Sequence, residues 1–270
     1  MTFCSDVDLL YWEPNVFRDA AFASQQLLSG TGQLDGTRFT TATGSLTAAH
    51  VVAGQVIVLS GTITGSYPIV QVNGAAELYL SVLYDGMQPS SGPIVPSPVA
   101  QATNLTYAIR TFWAQQKVVS DLLMRTAGID PEADDEQAPR IVNAEALRRP
   151  CVLGTLQMIY NALAAAAAEP AALSVRAELY ERLYRRAVLQ TRVELDRNGD
   201  GRGDVVRQLN VLELQRGYAR THRRLPGIDP GRCGNTNPEH SRAFAPDFLR
   251  ISARFWDSFD HAPMMGLLLK

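Results

Sequence analysis

The chain has 270 residues, of which 46% are hydrophobic and 19% charged, so it is long enough to bury a full core. Its formal net charge of −2 gives no reason to expect nucleic acid as the main partner. No apolar stretch approaches the roughly 20 residues that a membrane span requires, and the N-terminus lacks the pattern of a signal peptide. We therefore expect a protein that is made in a reducing cytoplasm and has no membrane partner.

Charge and cysteines are unevenly distributed along the chain. Residues 1–110 carry 3 Lys/Arg against 7 Asp/Glu, whereas residues 217–270 carry 8 against 5. This asymmetry fits charge steering between copies or partners. The three cysteines, Cys4, Cys151 and Cys233, are far apart and odd in number. Their spacing indicates neither a disulfide framework nor a metal site, and Cys151 is expected to be a small buried hydrophobe.

The first 29 residues are predicted to form the N-terminal helices of a helical body. Ser5 and Asp8 match a capping box, which favours a short helix that reaches Trp12. Apolar residues then keep a helical period over 16–28. Gly30 and Gly32 are expected to end this second helix.

Residues 30–110 have the composition of a β domain. Short runs rich in Val, Ile, Thr and Tyr, such as QVIVLSG and AELYLSVLY, alternate with Gly, Asn, Asp and Pro. Two of these runs alternate in polarity, as half-buried strands do. We predict a small antiparallel barrel or sandwich of about five strands, inserted into the helical body.

Helical sequence returns over residues 111–216. Phe112 and Trp113 are expected in the core, and apolar residues at i, i+3 and i+4 spacing after Pro150 predict a buried helix. Pro150 itself is expected to kink or restart the chain. The strongest helical pattern covers Ala171–Leu195, about 37 Å if unbroken. Residues Val205–Leu214 favour a strand.

The turn DRNGDGRGD places four oxygen-bearing side chains around a glycine. They are Asp196, Asn198, Asp200 and Asp204. Oxygens at alternate positions around a Gly turn match the first half of a Ca²⁺ loop, although its twelfth position is Arg207 instead of a bidentate Glu. Two interpretations stay open: a structural Ca²⁺ site, or a tight turn in which Asx side chains accept backbone N–H groups.

No set of residues points to an enzyme. The histidines His50, His222, His240 and His261 are far apart and have no partners at ligand spacing. The G-x-G fragments lack the strand–loop–helix context of a phosphate loop or nucleophile elbow. We expect no catalytic residue and no cofactor apart from a structural Ca²⁺.

Residues 217–270 are predicted to form an extended C-terminal arm. Prolines recur too often for long helices, yet aromatic residues and arginines cluster near the end. Such a segment is typical of one that folds on binding. The residues expected to anchor it to a second chain are Phe255, Trp256 and Phe259, with Arg250 and Arg254 at the rim.

Three stretches of the chain resemble the head–tail connector (neck adaptor) proteins of tailed bacteriophages. They are the opening DVDLLYWEPNVFRDAAFASQQLL, the β segment GSLTAAHVVAGQVIVLSG, and the helical stretch RRPCVLGTLQMIYNALA with the later LDRNGDGRGD. The resemblance spans residues 5–215 and leaves the arm unaccounted for. It implies an α+β chain in which a helical adaptor body carries an inserted β domain.

The resemblance also implies a function. Copies of such a protein form a ring, commonly of twelve, in the neck of the virion. The ring joins the portal protein to the tail or neck proteins, helps to retain packaged DNA and contacts its backbone. The alternative hypothesis is a Ca²⁺-stabilised β-domain module that binds a surface glycan or a similar ligand.

Overall fold

The computed structural model describes residues 2–84, 92–95, 101–132 and 140–209. All of them belong to one compact unit that spans Met1–Glu213. The unit combines helices with an antiparallel barrel, which confirms the α+β class. Among the described residues, none of the helices has both the length and the apolar character needed to cross a membrane.

Five α-helices surround the first hydrophobic core. They are α1 (Asp6–Trp12), α2 (Val16–Asp19), α3 (Trp113–Thr126), α4 (Arg148–Ala166) and α5 (Ala171–Gln190). Helix α4 supplies the most buried side chains, among them Leu153, Leu156 and Tyr160. The apolar spacing predicted after Pro150 is therefore confirmed. Pro150 lies within the first turn of α4, where its missing N–H leaves no bond unmade, so α4 continues through it.

Helix α4 packs closely on both α3 and α5 at Gly154. A Cβ atom at this position would lie 2.8 Å from Val119 Cγ1 and 3.0 Å from Tyr184 Cε2. Glycine normally weakens a helix interior by about 1 kcal/mol relative to alanine. Here it allows the three helices to approach one another, so Gly154 has a packing role.

Six strands form a closed antiparallel barrel. They are β1 (Gln26–Asp35), β2 (Arg38–Thr41), β3 (Val56–Ser60), β4 (Gly65–Val72), β5 (Glu77–Leu80) and β6 (Gln101–Arg110), paired in the order β1-β2-β5-β4-β3-β6. The barrel has its own core, to which Phe39, Ile57 and Leu78 contribute fully buried side chains. The predicted antiparallel β structure is confirmed as a barrel of six strands.

The helix predicted over residues 16–28 is wrong beyond Asp19. Helix α2 ends there, and Gln26 begins β1. Leu27 and Leu28 fit a helical period by coincidence, since both pack on the barrel core. Gly32 lies inside the strand, where a Cβ atom would come within 2.4 Å of the Phe39 ring. The glycine therefore permits close strand packing instead of ending a helix.

The barrel is inserted between α2 and α3 through two adjacent connections. Gln26 at its start pairs with Arg110 at its end. The guanidinium of Arg110 donates to the carbonyl oxygen of Phe17, which fixes the exit strand against α2. Burial lowers the pKa of Arg110.

A small sheet completes the unit. Strands β7 (Arg140–Ile141), β8 (Arg192–Asp196) and β9 (Val205–Gln208) pair in that order, all antiparallel. The long helix predicted over Ala171–Leu195 is wrong at its end, because the chain becomes a strand after Gln190. Val193 and Leu195 alternate inward there and are buried. The strand predicted from Val205 is confirmed as far as Gln208.

We predict that the barrel can be removed without unfolding the helices. Paired antiparallel residues lie about 4.5–5.5 Å apart, so a short Gly/Ser linker can replace residues 27–109. Among the buried members of the helical core, only Val56 comes from a barrel strand. Far-UV circular dichroism should retain the helical signal, with a thermal midpoint lowered by the loss of Val56. Collapse of the helical signal would contradict this prediction.

Candidate functional site

The residues predicted to anchor the C-terminal arm lie outside the described residues. This applies to Phe255, Trp256, Phe259, Arg250 and Arg254, and to the whole arm over 217–270. Their role therefore stays a prediction. The sites that the structure does describe are the acidic turn, the N-terminal segment and the outer faces of the helices.

The acidic turn joins β8 to β9 and is held by side-chain acceptors. Asp196 Oδ1 accepts from the N–H groups of Asn198 and Gly199 at 3.1 and 2.7 Å, and its Oδ2 accepts from Gly201 N–H at 2.8 Å. These bonds lower the pKa of Asp196. Asp204 accepts from Arg197 N–H at 2.9 Å. The turn has the hydrogen bonding of successive Asx turns.

The predicted Ca²⁺ ligands lie in this turn, but Asp196, Asp200 and Asp204 do not converge on a common point that could hold a cation. Within the described ranges, no group of three or more His, Cys, Asp or Glu side chains has a metal-binding arrangement. Asp200 Oδ1 accepts from Arg202 N–H at 2.8 Å. Arg207 extends away and donates to Ala127 O at 2.9 Å. Ca²⁺ binding by Asp196, Asn198, Asp200 and Asp204 stays a prediction.

We predict that Asp196→Asn lowers the thermal midpoint in the absence of Ca²⁺ by about 2–4 °C. An amide keeps one acceptor but turns its NH₂ group toward the N–H of Gly201. Because the folded-state pKa of Asp196 is depressed, its contribution is present above about pH 4 and is lost as the pH falls through the folded value. The difference between variant and wild type should therefore shrink in acid.

The matched control is Asp200→Asn, which alters an exposed side chain of the same turn. It should leave the midpoint unchanged without Ca²⁺. If both variants unfold at the wild-type midpoint at pH 7, the prediction that Asp196 stabilises the turn is wrong. A rise in midpoint with millimolar Ca²⁺ that Asp200→Asn abolishes would instead support the metal site.

Residues 3–20, here called the N-terminal segment, form polar bonds with α3, α4 and α5 and with the end of β6. The predicted capping box is present: Ser5 and Asp8 exchange bonds between their side chains and backbone N–H groups. Asp8 also forms an ion pair with Arg148, whose Nε donates to Asp8 Oδ1 at 2.8 Å. The start of α1 is thereby joined to the start of α4.

Asp6 is a buried carboxyl at the junction of barrel and helices. Its Oδ1 accepts from Phe112 N–H at 2.9 Å and from Gln116 Nε2 at 2.8 Å, at the start of α3. Burial raises the pKa of Asp6 to about 6, although these hydrogen bonds oppose the shift. The ring of Phe17 packs on that of Phe112, with centroids 4.9 Å apart. Polar and apolar contacts thus coincide at this junction.

A second polar cluster joins the N-terminal segment to α5. The hydroxyl of Tyr180 donates to Glu13 Oε2 at 2.7 Å, and Arg176 Nη1 donates to Tyr160 Oη at 3.1 Å. The rings of Tyr160 and Tyr180 are stacked with centroids 5.5 Å apart. Burial raises the pKa of Tyr160 to about 12. Both tyrosines are neutral at physiological pH and act as hydrogen-bond groups.

We predict that Asp6→Asn and Asp6→Ala have opposite effects at neutral pH. The folded-state pKa of Asp6 is about 6, above its ordinary value of 3.8. Protonated Asp6 therefore makes its full contribution to the free energy of unfolding below pH 3.8, and this contribution is lost as the pH rises through 6. Asparagine keeps the acceptor without the charge, so its stability relative to wild type should increase between pH 4 and pH 8. Alanine should cost about 1–3 kcal/mol, because two buried donors lose their acceptor.

Urea denaturation at several pH values checks this, with exposed Asp35→Asn as the matched control. That control should show no comparable change relative to wild type over the same range. An Asp6→Asn variant that is less stable than wild type by a constant amount at every pH would contradict the assignment.

Several large apolar side chains are exposed on the helices. They are Tyr11 and Trp12 on α1, Trp113, Val118 and Leu122 on α3, and Val175, Leu179 and Leu189 on α5. The prediction that Trp113 lies in the core is wrong, since 58% of its surface is accessible while its neighbour Phe112 is buried. Val118 with Leu122, and Val175 with Leu179, are spaced to form adjacent pairs on the helix surface. Each pair therefore leaves apolar surface open to solvent on its helix.

A cleft of about 390 Å³ lies beside α1. It is lined by Tyr11, Trp12, Leu83, Tyr84 and Arg148, with Val7 and Asp8. The guanidinium of Arg149 lies 5.8 Å from the ring centroid of Trp12, within range of a cation–π contact. The cleft combines aromatic and arginine side chains, which are common at protein interfaces.

The comparisons with known proteins returned nothing: the chain matches no family model, no curated protein and no solved structure.

Proposed function

We propose that this protein is a structural virion component, a head–tail connector whose copies form a ring between the portal and the tail. The proposal is supported by the resemblance of residues 5–215 to neck adaptors. It is also supported by the exposed apolar pairs on two different helices. A ring built from identical copies requires two unlike faces on each copy, because every subunit contacts one neighbour with each face. Helices α3 and α5 supply two such faces.

The observation that carries the proposal is the pair of outer faces on α3 and α5. Val118 and Leu122 are 47% and 41% accessible, and Val175 and Leu179 are 64% and 43% accessible. An isolated exposed leucine needs no explanation, but two adjacent pairs on helices that flank α4 favour contact with other chains. In this arrangement one copy's α3 face packs on the α5 face of the next copy.

Charged residues border the apolar pair on α5 and would make its contact with a neighbouring copy specific. Glu181 and Arg185 form an ion pair there, and Glu178 and Arg182 border the same shallow groove. On α3, Lys117 Nζ and Asp121 Oδ1 lie 2.6 Å apart. A polar rim around an apolar centre is the usual arrangement of a protein interface. Charges of both signs would fix the register between neighbouring copies.

The experiment is assembly with the portal protein of the same virus. We expect the purified protein to join a portal-bound ring, visible by negative-stain electron microscopy and by mass in analytical ultracentrifugation. Leu122→Glu and Leu179→Glu should each prevent ring formation, since each places a charge at a face. Both side chains are exposed, so the variants should keep the circular dichroism spectrum of the wild type.

The matched control is Val70→Glu, which adds the same charge at an exposed position of strand β4. It should assemble normally. If the wild-type protein joins no ring with the portal, the proposed function is wrong. If rings form equally well with Leu122→Glu and Leu179→Glu, the proposed function stands, but the contacts between copies do not involve these faces of α3 and α5.

A further inference from the structure

Cys4 and Cys151 lie side by side in the core although 147 positions separate them. Their Sγ atoms are 2.7 Å apart, and both side chains are buried. A disulfide bond is 2.03–2.05 Å long, so the sulfurs need to move by well under 1 Å to bond. Cys4 precedes α1, and Cys151 lies in the first turns of α4. The two thiols therefore stand at the contact between the N-terminal segment and the central helix.

The geometry points to a reversible disulfide between Cys4 and Cys151 that links the N-terminal segment covalently to α4. This inference is independent of the function proposed above. The protein would carry two thiols in a reducing cytoplasm and the bond in oxidising surroundings. Its consequence is mechanical: the segment that joins the barrel to the helices can no longer separate from α4.

The environment of the two thiols favours reaction between them. The hydrogen bond between the two thiols lowers the pKa of Cys151 and, together with burial, raises the pKa of Cys4. Ser120 Oγ lies 3.4 Å from the sulfur of Cys151 and adds a further polar contact. Once Cys4 is in a mixed disulfide it no longer shares a proton with Cys151, but the contact with Ser120 remains and favours the thiolate of Cys151, which is the reactive form of cysteine.

The chemistry is thiol–disulfide exchange with a small-molecule disulfide such as oxidised glutathione. Local opening of residues 2–5, which precede α1, exposes Cys4. Its thiolate attacks one sulfur of the small disulfide, so that a mixed disulfide forms on Cys4, the original S–S bond breaks and one thiol leaves. The thiolate of Cys151 then attacks the Cys4 sulfur and releases the second thiol. The two cysteines are oxidised, the small disulfide is reduced to two thiols, and the cysteine protons leave with those thiols.

The bond should raise stability because it closes a long loop in the unfolded chain. A bridge between residues 147 positions apart restricts the unfolded state strongly. We expect the thermal midpoint to rise by roughly 10 °C on oxidation and to return on addition of dithiothreitol.

The test uses the full chain with Cys233→Ser, so that only the proposed pair can form. The protein is incubated under native conditions with oxidised glutathione, and intact mass, peptide mapping and thermal midpoint are recorded. The proposal expects loss of two hydrogens, a cross-linked peptide that contains both Cys4 and Cys151, and the higher midpoint. The matched control, Cys233→Ser with Cys4→Ala, should show none of these changes.

Three outcomes would overturn the proposal. They are a stable glutathione adduct in place of the link, a bond between two chains, and native protein that keeps both thiols after prolonged exposure. A link that forms without any rise in midpoint would support the bond but contradict the predicted stabilisation, because strain in the native state would then offset the loop constraint. If the Cys4→Ala control does not fold, the reduced and oxidised states of the Cys233→Ser protein still decide the matter.

Discussion

Burial of the N-terminal segment against α3, α4 and α5 is the interaction on which the rest of the structure depends. Seven of its side chains lie in the helical core, among them Leu9, Leu10 and Phe17. Fully burying a side chain of this size contributes about 1.5–3 kcal/mol. Asp6, Asp8 and Glu13 add polar bonds to one helix each. The segment thus covers the apolar faces of the three helices and forms hydrogen bonds with polar side chains on each of them.

The same segment explains how a barrel can be inserted without disturbing the helices. The barrel fills its own interior and meets the helices through Val56 of β3, which is buried in the helical core, and through Arg110, which donates to Phe17 O. Because Gln26 and Arg110 are paired neighbours, the chain leaves the body and returns at one place. The outer faces of α3 and α5, with Val118, Leu122, Val175 and Leu179, stay exposed to solvent.

Local patterns in the sequence predicted the features that depend on neighbouring residues. These features are the capping box at Ser5, the apolar stripe of α4 and the strand-type composition of residues 30–110. Strand β1 was missed because Leu27 and Leu28 continue a helical period, and only pairing with β2 and β6 makes them strand residues. The Cys4–Cys151 pair and the bonds of Asp6 join positions more than 100 residues apart. No spacing rule could have revealed such contacts, which arise from the tertiary fold alone.

Hydrogen exchange of a chain that begins at Ala21 tests the central role of the N-terminal segment most directly. Without residues 3–20 the helical core loses seven buried side chains, whereas the barrel core loses none. The account predicts that amides of α3, α4 and α5 exchange rapidly while strands β1–β6 keep their protection. Retained protection in the three helices would contradict it.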